Sequence, residues 1–234
     1  MGEERENYSK LKEFALGWGA SLFGVCDISR LKGEFLNLSP GVVKGLDKGI
    51  SLAVRLSGKI IDSIEDRPTK LYYYHYRQVN YFLDRLALGV TQFIQDRGGN
   101  GLPIPSSQTI DWEKQRGHLS HKEVAQQAGL GWIGRNNLLV NPEFGSRIRL
   151  VTVLTDFPLP FDEPVKDGCG NCMDCLGTCP AEAIKERVED FDRLACYRKL
   201  DEFRKVCNIG HHICGICVKA CHGRKRGKRG QATF

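Results

Sequence analysis

Four cysteines within eleven residues, in DGCGNCMDCLGTCPAEAI, place the strongest limit on how this chain can fold. From the stretch Pro158 to Lys166 onward, long apolar runs disappear, and nine of the ten cysteines gather from there up to and including Cys221. A segment of about 60 residues with so little core needs a staple, either disulfides or metal. The rest of the chain reads as an ordinary globular protein. Its hydrophobic content is 41% and its charged content 26%, which excludes a disordered or fibrous class over the body. No apolar run reaches the roughly 20 residues needed to span a bilayer, and MGEERENYSK is acidic rather than a basic leader, so the chain reads as cytoplasmic and free of membrane.

A reducing compartment argues against disulfides as the resting state. Between metals, spacing decides. Cys169, Cys172, Cys175 and Cys179 form C-x2-C-x2-C-x3-C followed by Pro180. In that pattern three close thiolates serve one 4Fe–4S cluster and the fourth serves another, whereas zinc prefers separated C-x2-C pairs. The second run, CGICVKAC, carries Cys214, Cys217 and Cys221, with Cys196 upstream. A crossed assignment closes two sites: Cys169, Cys172, Cys175 and Cys221 for one, Cys179, Cys196, Cys214 and Cys217 for the other. Cys26 and Cys207 are left over, with Cys207 the competitor for the role of Cys196.

Net charge is +6, but Arg224, Lys225, Arg226, Lys228 and Arg229 cluster after His222 with no acid among them, which leaves the body at +1 (6 minus 5). Such a tail neutralises nucleic-acid phosphates or remains a solvated end. Ahead of the cysteines, a helix over 7–19, strands in SLFGVCDI and GISLAVRLS, and a long helix over 70–96 are expected. LPIPSSQ reads as a short strand. LSHKEVAQQAGLG reads as a helix with Ser120 and Glu123 as capping box. NNLLV and SRIRLVTVLTD read as two buried strands joined in a hairpin by NPEFG. Mixed helices and strands predict an α+β or α/β class: an N-terminal α/β cofactor-binding domain over 1–160, a small ferredoxin-like domain with two 4Fe–4S clusters over 161–222, and a basic tail over 223–234.

Two stretches of the first domain are candidate cofactor contacts. LYYYHYRQVNY sets tyrosines around His75, and Tyr74 with His75 can rim a flat ligand, although such clusters also serve as helix–sheet interfaces. Gly129, Gly131 and Gly134 form G-x-G-x-x-G, with Trp132, Arg135 and Asn136 beside them. Here the glycines follow a helix and precede a strand, the reverse of the dinucleotide order, so the loop is read as one where backbone closely approaches some other group.

AQQAGLGWIGRNNLLVNPEFGS, then LTDFPL, the first cysteine run, Cys196 and CGICVKAC resemble the order of motifs in epoxyqueuosine reductases, iron–sulfur enzymes related to cobalamin-dependent reductive dehalogenases. The resemblance covers about 70–221. It implies an α/β domain holding base-off cobalamin, clusters that reduce it, an external electron donor such as ferredoxin or flavodoxin, and a tRNA base as substrate, with the basic tail as a tRNA contact. It also implies a proton donor ahead of the A-G-L-G loop. The family's aspartate position falls on Gln115 here, which leaves Asp111, Glu113, His118 and His121 as candidate acids. His222 stands where the family has proline, and the helical-repeat domain of the longer members is missing from this sequence. Two other readings stay open: a ferredoxin-type electron carrier whose first domain binds a partner or another cofactor such as flavin, and an RNA-binding protein with structural clusters.

Overall fold

The computed structural model describes residues 2–166 and 168–224, so the basic tail beyond Arg224 lies outside the described residues. Helix α1 (Gly2–Gly17) starts earlier than its apolar pattern, because Glu3 and Glu4 place negative charge on its first turn, where the unpaired N–H groups favour it. Leu11 and Ala15, one turn apart, are its buried face. Strand β1 (Leu22–Asp27), the short helix α2 (Pro40–Val43) and strand β2 (Lys48–Arg55) follow, with β1 and β2 antiparallel from Leu22↔Ala53 to Asp27↔Lys48. Then come helix α3 (Gly58–Asp62), the long helix α4 (Lys70–Gln95), strand β3 (Gly101–Ile104) and helix α5 (His121–Gln127). Strands β4 (Trp132–Ile133), β5 (Leu139–Val140) and β6 (Ile148–Thr155) precede helices α6 (Arg193–Val206) and α7 (Ile216–Ala220).

The main sheet has the order β1-β2-β6-β3, and β3 runs antiparallel to β6 from Gly101↔Thr155 to Ile104↔Thr152. The fold is therefore mixed α and β with antiparallel pairs at both sheet edges. The expected hairpin between NNLLV and SRIRLVTVLTD does not form. Leu139 and Val140 pair instead with Ile133 and Trp132 in a separate two-stranded sheet, and β6 lies between β2 and β3. NPEFG does close as a tight turn, with Asn141 Oδ1 accepting from the N–H groups of Glu143 and Phe144 at 2.9 and 3.1 Å and Asn141 bridging Gly145, but the pairing stops at that bridge.

The chain divides into two compact units, each discontinuous in sequence. The first comprises residues up to Val54, Val79–Leu130 and Arg149–Val165. The second comprises Arg55–Gln78, Gly131–Ile148 and the described residues from Lys166 on. Two segments ahead of position 160 thus belong with the cysteine-rich segment. In the first unit, Val79, Leu83, Leu86, Val90 and Ile94 of α4 are buried, as are Val25, Ile50, Leu52, Val151 and Val153 of the sheet. Close backbone packing places α5 against β1: a Cβ on Gly24 would sit 2.2 Å from the Ala128 carbonyl oxygen, a distance no side chain tolerates. Asp162 closes this unit by accepting from the Tyr8 hydroxyl at 2.9 Å and the Val25 N–H at 2.8 Å. No helix among the described residues is long and apolar enough to cross a membrane.

In the second unit the tyrosine cluster separates by function. Tyr72 and Tyr76 are buried and meet edge to face, Tyr73 and Tyr76 flank the His211 ring at 5.4 and 5.7 Å, and Tyr74 is exposed. Arg147 ties three stretches together. Its guanidinium donates to Asp62 at 3.0 Å and to the Lys219 carbonyl at 2.7 Å, joining α3 to α7, while Lys219 Nζ reaches the Ile64 carbonyl.

Candidate functional site

All nine cysteines of the second unit are free thiols. Cys172 is exposed, and Cys169, Cys175, Cys179, Cys196, Cys207, Cys214, Cys217 and Cys221 are half-buried. Burial is the largest influence on the thiols that shift, and it raises them because it disfavours the thiolate. Their further influences divide them. Cys175 is pushed up to about 11 by burial and then by neighbouring Cys221, Cys169 and Cys172. Cys196 is pushed to about 11 by burial and then by Cys179. Cys214, pushed up to about 12, has Cys196, Cys179 and Cys207 as its thiol neighbours, and Cys217 lies well above the ordinary thiol range with Cys214, Cys196 and Cys179 nearest in effect and Cys175 last. These influences link Cys175 with Cys169, Cys172 and Cys221, and link Cys196, Cys214 and Cys217 with Cys179, while Cys217 is also affected by Cys175.

Local structure explains how these thiols are presented. Asp192 caps α6 by accepting from the Ala195 N–H, one residue before Cys196. Gly215 starts α7 with φ +86°, a left-handed conformation available to glycine at little cost, and its missing side chain leaves room for Ile64 and Tyr72, whose atoms lie 2.6 and 2.8 Å from a Cβ there. The glycine in CGIC is thus required by both backbone and packing. Cys26, by contrast, is buried in the first unit, its thiol pushed up to about 12 by burial, and its Sγ lies 3.5 Å from the Val124 carbonyl. His212 faces Asp201 at 3.2 Å and the Tyr197 ring at 5.1 Å.

The glycine-rich loop packs against protein. Gly129 has φ +74°, and a Cβ there would meet the Glu163 carbonyl oxygen at 2.6 Å. Gly131 has φ +156°, and a Cβ there would lie 2.1 Å from the Val140 carbonyl oxygen. A Cβ on Gly134 would come to 2.6 Å from Val140 Cγ2 and 3.3 Å from Cys169 Sγ, so this backbone lies against a cysteine of the first group. Arg135 donates to the carbonyls of Glu186, Cys172 and Gly170, at 3.0 Å to Cys172 and 2.9 Å to Gly170, and so holds the loop that bears Cys172. Asn136 is buried and bonded to Ser146 Oγ at 3.0 Å. His75 Nε2 accepts from the Ser57 N–H at 3.0 Å, and burial lowers its pKa. Within the candidate cofactor set, exposed Tyr74 and Trp132 remain. The Trp132 indole N–H is buried with no hydrogen-bond partner among the described residues, a state that costs about 1–3 kcal/mol unless a bound group accepts it.

The proton-donor candidates lie in the first unit. A cavity of about 200 Å³ is lined by Pro105, Ser106, Gln115, Leu119, His118 and His121, among others. Asp111 and Glu113 do not line it: Asp111 accepts from the Lys114 N–H and pairs with Arg116 in a bridge, and Glu113 is exposed. His121 sits between two partners, 2.8 Å from Thr152 Oγ1 and 2.9 Å from the Pro105 carbonyl, and burial pushes its pKa down to about 4. A carbonyl only accepts, so His121 carries its proton on Nε2 and accepts from the threonine hydroxyl at Nδ1.

No protein-family model matches the chain. Among curated proteins it is 34% identical over 119 residues to the epoxyqueuosine reductase of Bacillus anthracis, covering 47% of this chain and 30% of that protein. It is 48% identical over 68 residues to that of Escherichia coli K12, covering 29% of this chain and 18% of that protein. The chain is thus similar to epoxyqueuosine reductases over these segments. It aligns with less than a third of the length of these two relatives. Solved structures extend the likeness in fold: a reductive dehalogenase described by a B12-dependent mechanism (TM-score 0.71, 18% identity, 90% of this chain and 30% of that one) and the epoxyqueuosine reductase of Streptococcus thermophilus (TM-score 0.61, 22% identity, 91% and 65%). An epoxyqueuosine reductase bound to a modified tRNA-Tyr stem loop also matches, with TM-score 0.51, 21% identity and coverage of 75% and 52%.

The residues that sequence reasoning missed are ones that organise each unit through their hydrogen bonds. Arg147 carried no motif, and its role emerges only from its bonds to Asp62 and Lys219. Ser106, which lines the cavity, is held by the Asp84 carboxylate at its N–H and by the Asn80 carbonyl at its hydroxyl. A proline-flanked serine in LPIPSSQ was the one available cue.

Proposed function

We propose that the chain is an iron–sulfur reductase of the epoxyqueuosine reductase type. Cys169, Cys172, Cys175 and Cys221 would hold one 4Fe–4S cluster, and Cys179, Cys196, Cys214 and Cys217 the other. The observation that supports this reading is the spacing C-x2-C-x2-C-x3-C-P with CGICVKAC downstream, in a chain similar to epoxyqueuosine reductases. Among the described residues no three His, Cys, Asp or Glu side chains gather as one metal ion would require. The donor set fits clusters on its chemistry: eight soft thiols, with a glycine backbone at Cys169 and a tight glycine turn at Cys221, where a Cβ on Gly145 would lie 2.3 Å from the Cys221 carbonyl oxygen. When bound, the clusters supply one-electron transfer, and a corrinoid would supply a cobalt centre able to reduce an electrophile.

The remaining steps belong to the chain's own residues. The buried thiols surrender their protons on loading, so cluster assembly is favoured by rising pH. Arg135 orders the Gly170–Cys172 loop, and Trp132, whose buried indole N–H has no partner among the described residues, would be the residue to hold an acceptor of a bound corrinoid. Proton supply is assigned to the segment from Asp111 to His121. A tRNA base is the proposed substrate, because a structural neighbour was solved with a modified stem loop, and a one-electron carrier of the ferredoxin or flavodoxin class is the proposed donor.

A second reading draws on the loop glycines, whose open sides are filled by protein atoms, and on Arg135 and Asn136, whose bonds are spent within the unit. It is an electron-transfer protein without corrinoid. Anaerobic reconstitution separates the two. Both readings require about eight iron and eight sulfide per chain, and zinc without sulfide would overturn both. Titration with cobalamin giving a base-off spectrum, and reduction of an epoxyqueuosine-modified stem loop, support the reductase; no spectral change at high cobalamin leaves the carrier.

A further inference from the structure

We propose that Arg135 is the counter-charge of the cluster held by Cys169, Cys172, Cys175 and Cys221, and that it makes this first cluster easier to reduce. The inference rests on the cluster reading above and concerns the second unit alone. Among the described residues the guanidinium donates to the carbonyls of Glu186, Cys172 and Gly170, and to no carboxylate. Three neutral oxygens fix its position without cancelling its charge, and arginine keeps that charge at every working pH. The residue is half-buried, and a cation partly withdrawn from water is costly unless an anion faces it.

A loaded site supplies that anion. Four thiolates outweigh the positive charge of the iron–sulfur core between them, so the site is anionic and becomes more so when it takes an electron. Arg135 meets this site in two ways. The backbone just before it lies against Cys169, since a Cβ on Gly134 would come to 3.3 Å from Cys169 Sγ, and its side chain grips the Gly170 and Cys172 carbonyls at 2.9 and 3.0 Å. A fixed cation there stabilises the reduced form more than the oxidised one, because the attraction grows with the added charge. Burial raises the Cys172 thiol and the Asp174 carboxylate adds to that rise; the same carboxylate works against Arg135 at the cluster. In the one-electron step the cluster gains the electron that the reductant loses, no bond is made or broken, and Arg135 keeps its protons.

Arg135→Gln and Arg135→Lys separate charge from grip in anaerobically reconstituted protein. Iron and sulfide are counted, and the reduced-cluster EPR signals are followed in a dithionite titration with mediators, the first cluster's signal being the one that Cys175→Ala removes. Both variants lose the fork; lysine keeps the charge and glutamine does not. In Arg135→Gln the ratio of reduced to oxidised first cluster at a fixed potential should fall roughly tenfold, about 59 mV for one electron, whereas Arg135→Lys should stay within about twofold of the parent. The other cluster's signal is the internal reference and should move less; a larger movement there overturns the assignment. Equal shifts in the two variants would show that the grip alone matters, and no shift with glutamine would show that the charge is silent; either result overturns the proposal. Loss of the first cluster from Arg135→Gln with retention in Arg135→Lys supports the counter-charge, and loss from both overturns it. A parent that takes up no iron and sulfide fails the cluster reading itself, and the role of Arg135 falls with it.

Discussion

Gly131→Ala separates two roles for the glycine-rich loop. If the glycine makes room for a cofactor, the substitution weakens cofactor binding and leaves the folded protein as stable as before. The structure predicts the opposite. The new methyl would sit 2.1 Å from the Val140 carbonyl oxygen, 2.8 Å from its carbon and 3.1 Å from Asn141 Cα, and all three are backbone atoms that no rotamer change can move aside. Gly131 immediately precedes the Trp132↔Val140 pair, so relief comes by opening β4 from β5. Overpacking of this kind costs about 1–3 kcal/mol, and each ladder hydrogen bond lost adds about 0.5–1.5 kcal/mol. A total of roughly 3 kcal/mol corresponds to a fall in Tm of about 6–12 °C for a chain of this size. The measurement is thermal unfolding of anaerobically reconstituted protein without added cobalamin, followed by circular dichroism. A Tm within about 1 °C of the parent would refute the packing argument and return the loop to the cofactor.

Cluster ligation makes a crossed pattern of losses: Cys179→Ala and Cys217→Ala should remove the same reduced-cluster EPR signal, and Cys175→Ala and Cys221→Ala the other, whereas loss by sequence block would refute the crossing. Arg135→Gln removes the fork that holds three carbonyls at an exposed site; with about 1–2 kcal/mol less to hold the loop, iron release to a chelator should quicken by roughly 5- to 30-fold. His121 has its pKa lowered from 6.5 to about 4, so the unfolded chain binds the extra proton and stability falls as pH drops from 6.5 towards 4. Urea midpoints across that window should fall less steeply in His121→Gln than in the parent, and equal slopes would show that this ring does not report the folded state.

The parts of the fold that were legible in the sequence are those governed by local periodicity. Helix α4 follows its apolar spacing to within a residue at its C-terminus, because Val79, Leu83, Leu86, Val90 and Ile94 can be buried together only on a helix. The Ser120 cap is likewise local: its Oγ accepts from the Glu123 N–H. The partner of β5 was not legible. Both Trp132–Ile133 and Ile148–Thr155 are apolar strands within reach, and local pattern cannot choose between them. Nor could spacing separate the four candidate acids, since proximity in sequence says nothing of which atoms are already bonded.

By itself the sequence determined the donor chemistry: nine thiols crowded into a segment too poor in apolar residues to fold on its own core, in a spacing suited to clusters. Thiol identity and spacing are covalent facts that no fold alters. Tertiary structure decided the rest, because it alone settles which polar atoms are already satisfied. It shows the side-chain positions of Gly129 and Gly131 filled by carbonyl oxygens, Arg135 spent on three carbonyls, His121 bonded at both nitrogens, and His118 tied to Leu36 at Nδ1.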